Sequence, residues 1–216
     1  MAAAETAAPR LTAQAAAPTT ALPAEIAALS PEEQRRLARG KVVVRLAAAD
    51  PAGLREGHAL MVFDTPPERV YRALLDFDHY AEWTPFVVES SGRPLGDGIV
   101  ENAQRLDLPA PVADRFFRVR VRSGVELRDG KERWTVRWEQ VPGSGNVRAQ
   151  RGAWALVRLT GGRTLASCSA WVDPGGAIPA WLVNRWLARS LPWVLDGLRQ
   201  QAHRWRYDPR APPGTP

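Results

Sequence analysis

Ala170-Trp171-Val172-Asp173-Pro174-Gly175-Gly176-Ala177-Ile178-Pro179-Ala180-Trp181-Leu182-Val183-Asn184 is the stretch on which the fold turns. A strand ends at Asp173, Pro174-Gly175-Gly176 make the turn, and a helix opens at Pro179, where a proline suits the first turn. Beyond it Leu191, Leu195, Leu198, Ala202 and Trp205 recur at helical spacing, so one face of this helix lies on other structure. Ser190-Leu191-Pro192 predicts an internal break or kink, because an interior proline removes a backbone donor.

Working outward, the segments before this helix alternate with period two. Trp134, Val136 and Trp138 share one face of a strand, and Phe117, Val119 and Val121 share another opposite Arg118, Arg120 and Arg122. Strands are read near 146–159 and 163–173, and a hairpin near Lys41–Leu46 and His58–Phe63. Pro66-Pro67 open a helix carrying Val70, Tyr71, Leu74 and Leu75, and a second short helix spans Asp78–Trp83 before Pro85. A meander of antiparallel strands with helices at its two ends predicts the α+β class.

Composition excludes several chemistries. The chain has 216 residues, 45% apolar, with a net charge of +6, and no apolar run of about 18 residues that would span a bilayer as a helix. Lys41 and Lys131 are its lysines, so arginine carries nearly all the positive charge. No nucleic-acid-binding motif accompanies the arginines, and nucleic acid is not expected as a partner. A single cysteine, Cys168, forbids an intrachain disulfide, and scattered His58, His79 and His203 do not make a metal cluster. Gly143-Ser144-Gly145 lacks the lysine and helix of a phosphate loop, and there is no nucleophile elbow. No metal or cofactor is expected.

The run Asp64-Thr65-Pro66-Pro67-Glu68-Arg69-Val70-Tyr71, continuing to Asp76-Phe77-Asp78-His79-Tyr80-Ala81-Glu82-Trp83-Thr84-Pro85-Phe86, together with Thr164–Asn184, resembles the two ends of a helix-grip domain. The family is the START/polyketide-cyclase-like superfamily, including its coenzyme-Q-binding branch. The resemblance covers about residues 41–206. It implies a curved antiparallel sheet wrapped around a long C-terminal helix, with two short helices after the first strands, and a cavity between sheet and helix for a hydrophobic molecule. Residues 1–40 read as an Ala/Pro-rich disordered arm with a short helix near 31–39 capped by Ser30, and residues 207–216 as a Pro-rich tail. Without a recognisable signal peptide the default compartment is the cytoplasm, or the periplasm if an export signal has been removed.

Nine tryptophans are many for such a domain, and each buries a large apolar area. The candidate ligand-binding set is Trp83, Phe86, Phe117, Val119, Trp134, Val136, Trp138, Cys168, Ala170, Ile178, Trp181, Leu182 and Trp186. Arg151 joins it if it points inward, where it would need a carboxylate such as Glu101 or Glu139; placed at a bulge near Gly152 it faces water instead. His79, Asp64 and Asn184 read as structural, and Cys168 as a buried inert thiol. No paired acid and base is recognised, so no catalytic residue is assigned. The expected function is binding, and transfer, of a lipid, quinone or related hydrophobe by a monomer touching a membrane transiently. The alternative is an aromatase/cyclase acting on a polyketide. Ile178, Trp181 and the helix arginines Arg185, Arg189, Arg199, Arg204 and Arg206 would meet the membrane.

Overall fold

A computed structural model describes residues 24–109, 112–128 and 130–208; the expected N-terminal arm up to residue 23 and most of the Pro-rich tail lie outside them. Two short helices, α1 (Ala24–Ala27) and α2 (Pro31–Ala38), precede the hairpin β1 (Val43–Ala49) and β2 (Arg55–Phe63). Helix α3 (Pro67–Leu75) and a 3-10 turn (Phe77–Glu82) lead into six strands: β3 (Val87–Gly96), β4 (Ile99–Leu106), β5 (Arg115–Arg128), β6 (Lys131–Gln140), β7 (Ala149–Arg158) and β8 (Thr164–Asp173). The long helix α4 (Ala180–Ala202) closes the domain.

The strands form one antiparallel sheet in the order β1-β2-β8-β7-β6-β5-β4-β3. The order follows from a plain meander, β3 to β8, whose last strand returns to pair with the first hairpin through Phe63↔Thr164 and Gly57↔Ala170. Period-two alternation then sorts side chains. Met61 and Phe63, Val119 and Val121, Trp134 and Val136, Trp154 and Leu156 all enter one buried cluster with Leu191, Leu195 and Leu198 of α4. A smaller cluster forms on the other face, where Ile26, Leu29 and Leu37 cover Val43 and Leu165. Helix α2, read from sequence as lying in an arm outside the domain, is therefore docked on the sheet, and its Ser30–Glu33 capping box is complete.

Helix α4 is pinned at both ends. Asn184 accepts from the Arg55 amide and donates to the Gly53 carbonyl, both at 2.9 Å. At the other end buried Gln201 donates to the Tyr207 hydroxyl, which in turn donates to Asp76, each at 2.8 Å. His79 shares that carboxylate at 2.6 Å, a structural role. The expected break at Pro192 does not occur: the helix runs through it from Ala180 to Ala202. Burial explains this, because Leu191 before the proline and Leu195, Leu198 and Ala202 after it are all sunk in the same core. Holding both halves on one surface outweighs the loss of a single helical hydrogen bond.

Candidate binding cavity

Between the sheet's inner face and α4 lies a cavity of about 290 Å3, at the small end of the roughly 300–1,000 Å3 typical of small-molecule sites. Its floor is built row by row from strand register. Cys168 stands beside Trp154 and Val136, and the next row places Ala170, Gly152, Trp138 and Val121 side by side. Small residues alternate with tryptophans, so each indole lies over a gap rather than against another ring. Gly152 is the clearest case: a Cβ there would lie 2.1 Å from the Trp138 ring and 2.4 Å from the Ser169 carbonyl oxygen. Only glycine lets that indole lie across strand β7.

The roof is one face of α4. Trp186, Leu187, Ser190, Leu191 and Val194 line the cavity, a set spaced as neighbours on one helix side. The loop before β3 contributes Trp83, Thr84, Pro85 and Phe86 to the lining and packs against α4. Phe86 stacks on Trp186 with ring centroids 5.0 Å apart and lies 6.2 Å from Trp193. Phe86 holds φ at 65°, a left-handed conformation uncommon for a bulky side chain. The ring stack and the packing of α4 hold it there. Gly197 allows that packing, since a Cβ would come 2.2 Å from the Trp83 carbonyl oxygen. Trp83 Nε1 and Thr84 Oγ1 are enclosed by protein without a hydrogen-bond partner among the described residues.

Electrostatically the cavity is neutral. Its described lining includes no Asp, Glu, Lys, Arg or His. Burial pushes the Tyr80 hydroxyl well above its ordinary range, assisted by nearby Asp76, and that hydroxyl donates to the Leu74 carbonyl. Burial alone raises the Cys168 thiol in the same way, so neither group ionises near neutrality. Besides the Tyr80 hydroxyl and the tryptophan N–H groups, the lining includes the polar side chains of Thr84, Asn102, Gln104, Gln150 and Ser190. On the opposite face a recess of about 580 Å3 is bordered by Arg45, His58, Glu126, Arg128 and Arg137, a solvated, charged groove of different character.

Of the candidates read from sequence, Trp83, Phe86, Phe117, Val119, Val136, Trp138, Cys168, Ala170 and Trp186 line the cavity. Five do not. Trp134 is buried, further along its strand where α3 covers the sheet, with Arg158 over its ring at 5.3 Å. Arg151 faces outward and stacks on Trp171 at 4.2 Å; Glu101, suggested as its partner, binds Arg93 at 2.9 Å and Arg118 at 3.4 Å instead. Ile178, in the loop before α4, and Trp181 and Leu182, in its first turn, lie ahead of the roof residues and outside the lining, and Trp181 is 67% exposed. Sequence reasoning missed Trp154, whose parity is opposite to that of Arg151. Deciding the face of β7 by its largest apolar side chain would have found it. It also missed Asn102, Gln104 and Gln150, since polar residues in an alternating strand are ordinarily read as solvent-facing.

Residues 64–199 match the family model described as "Polyketide cyclase / dehydrase and lipid transport". The chain belongs to this family. Solved structures agree on the fold. A STAR-related lipid transfer protein from Xanthomonas axonopodis superposes with a TM-score of 0.66 at 24% identity, over 76% of this chain and 94% of that one. Human StAR-related lipid transfer protein 5 gives 0.64 at 15% identity, over 79% and 90%. No match to a curated protein was found. The architecture is thus the START, or helix-grip, fold with its hydrophobic-ligand cavity.

Proposed function

We propose that this family member binds a hydrophobic small molecule between sheet and α4 and exchanges it through the Phe86–Trp186 mouth, without altering it chemically. The observation that carries this reading is the aromatic, charge-free lining. General acid–base catalysis needs a group that ionises near the working pH, and the two titratable side chains of the described lining are both held neutral by burial. The cyclase reading fits the family description, but no described lining residue is poised to move a proton. Exchange with a membrane is supported by the outer side of α4. Trp181 and Trp193, 67% and 53% exposed, flank exposed Arg185 and Arg189, an arrangement suited to an anionic interface.

The test is native mass spectrometry of protein purified from its own host, followed by extraction and a vesicle-to-vesicle transfer assay with whatever is recovered. A co-purifying neutral hydrophobe moved unchanged, more slowly at high salt and in Trp181→Ala/Trp193→Ala, is the expected result. Recovery of a chemically converted product after incubation would replace transfer by catalysis.

A further inference from the structure

Resting on the binding and exchange reading above, we infer that the moving part of the cavity wall is the loop Trp83-Thr84-Pro85-Phe86, which swings about Phe86 while α4 stays seated on the sheet. Unfavourable features are concentrated in that loop. Among the described residues the non-glycine positions with positive φ are Phe86, at 65°, and Asp97, at 51°. Asp97 sits in the exposed turn between β3 and β4, where a short polar side chain tolerates that conformation. Phe86 is bulky and packed against α4, and a return to negative φ would relieve it.

The two enclosed polar atoms noted above, Trp83 Nε1 and Thr84 Oγ1, belong to the same loop. Trp83 packs edge-to-face with Tyr80, ring centroids 4.9 Å apart, a weaker contact than the hydrogen bond an enclosed N–H ordinarily makes. Both groups lose their hydration while the loop is closed and regain it when the loop opens. The backbone ties sit at the loop's two ends. The Trp83 and Thr84 amides donate to the Tyr80 carbonyl at 3.2 and 2.8 Å, and the Asp107 amide donates to the Phe86 carbonyl at 2.9 Å. Across the loop itself the Val87 amide donates to the Thr84 carbonyl at 3.3 Å. Side-chain contact does the rest, through the Phe86–Trp186 stack and the seat of the Trp83 carbonyl on Gly197.

Helix α4 has the opposite character. Asn184 ties its start to both Gly53 and Arg55, Gln201 ties its end to Tyr207, and Val183, Leu191, Leu195 and Leu198 between them are buried. No side-chain polar atom of α4 is enclosed without a partner among the described residues. Lifting the helix would break those bonds and expose its leucines, whereas swinging the loop relieves a strained residue and rehydrates two polar groups. Of the two elements that meet at the Phe86–Trp186 stack, the loop therefore takes less work to move.

The test combines stopped-flow association and dissociation of the neutral dye N-phenyl-1-naphthylamine with hydrogen exchange on the free protein. Thr84→Val keeps the side chain's shape and removes one enclosed hydroxyl, which steadies the closed loop. Both rates should fall about five-fold with Kd unchanged, a pattern that an altered fit to the dye would not produce. Gly197→Ala sets a Cβ against the Trp83 carbonyl and should raise both rates; should it not fold by circular dichroism, Thr84→Val carries the test. Asn184→Ala frees the start of α4 and should leave both rates as they are. In the free protein the Val87 amide should exchange faster than those of Leu191, Leu195 and Leu198. Acceleration by Asn184→Ala, rates unmoved by Thr84→Val, or α4 amides exchanging as fast as that of Val87 overturns the inference, and the binding reading stands as long as the dye binds. If the dye does not bind, the binding reading fails, and hydrogen exchange alone decides whether the loop is the part that moves.

Discussion

The two faces of the sheet are built from the same strands and have opposite chemistry. On β5 the inward Phe117, Val119 and Val121 are buried, while Arg118, Arg120 and Arg122 between them are exposed. The inner face carries a neutral cavity; the outer face carries ion pairs such as Arg105–Glu89 and Arg148–Asp173. The net charge of +6 is carried outside the cavity, whose described lining has no charged side chain.

The sharpest way to break this comparison is to exchange chemistry between the faces. Val119→Arg would bury an unpaired charge and is expected to cost several kcal/mol, enough to unfold the domain or empty the cavity. Arg120→Val, one residue away, should shift stability by no more than about 0.5 kcal/mol. Paired urea denaturation curves would reveal the contrast, and equal effects would contradict the assignment of faces. Next in size is Gly152→Ala. Its Cβ would meet both Trp138 and the β8 backbone, so a loss of about 1–3 kcal/mol is expected, with a shift in tryptophan emission. Trp186→Ala removes the ring stacked on Phe86 and should accelerate release of a bound hydrophobe more than it lowers stability, which stopped-flow dilution would resolve.

The smallest effect belongs to the outer face. Arg45, hydrogen-bonded to Glu33, holds that carboxyl at about 2 instead of 4.5, with the Ser30 backbone amide contributing next. Because the folded value lies below the ordinary one, the pair's contribution is fully present above about pH 4.5 and is lost as pH falls toward 2. Arg45→Ala should flatten the pH dependence of stability in that window and leave it unchanged near neutrality. The effect is small, since both groups are solvated.

How much of this was readable beforehand follows from what alternation encodes. Trp138, Val119 and Cys168 could be placed because apolar and polar positions take strict turns along their strands. Arg151 stayed undecided between the two faces because β7 reads Ala149-Gln150-Arg151-Gly152-Ala153-Trp154, where small residues occupy both faces and only Trp154 carries a strong preference. Trp134 had the correct face but the wrong row; its distance along the strand from α3 is a tertiary fact without a sequence signature. The stack of Phe86 on Trp186 joins residues a hundred positions apart and was likewise invisible. The hydrogen bond from Gln150 to Gln140 joins different strands and emerges only once three-dimensional neighbours are known.

The strand order has a consequence in time. Strand β2 finds its second neighbour only in β8, and the Thr164 hydroxyl reaches the Thr65 carbonyl across a separation of 99 residues. During synthesis at about 5–20 residues per second, the free edge of β2 waits on the order of 5–20 s for its partner to emerge. That edge is an open template for pairing with another chain, and α4, made last, is the element that then covers the meander's inner face. Nascent chains stalled before Thr164 are thus the form of this protein most exposed to aggregation, and the one most in need of a chaperone.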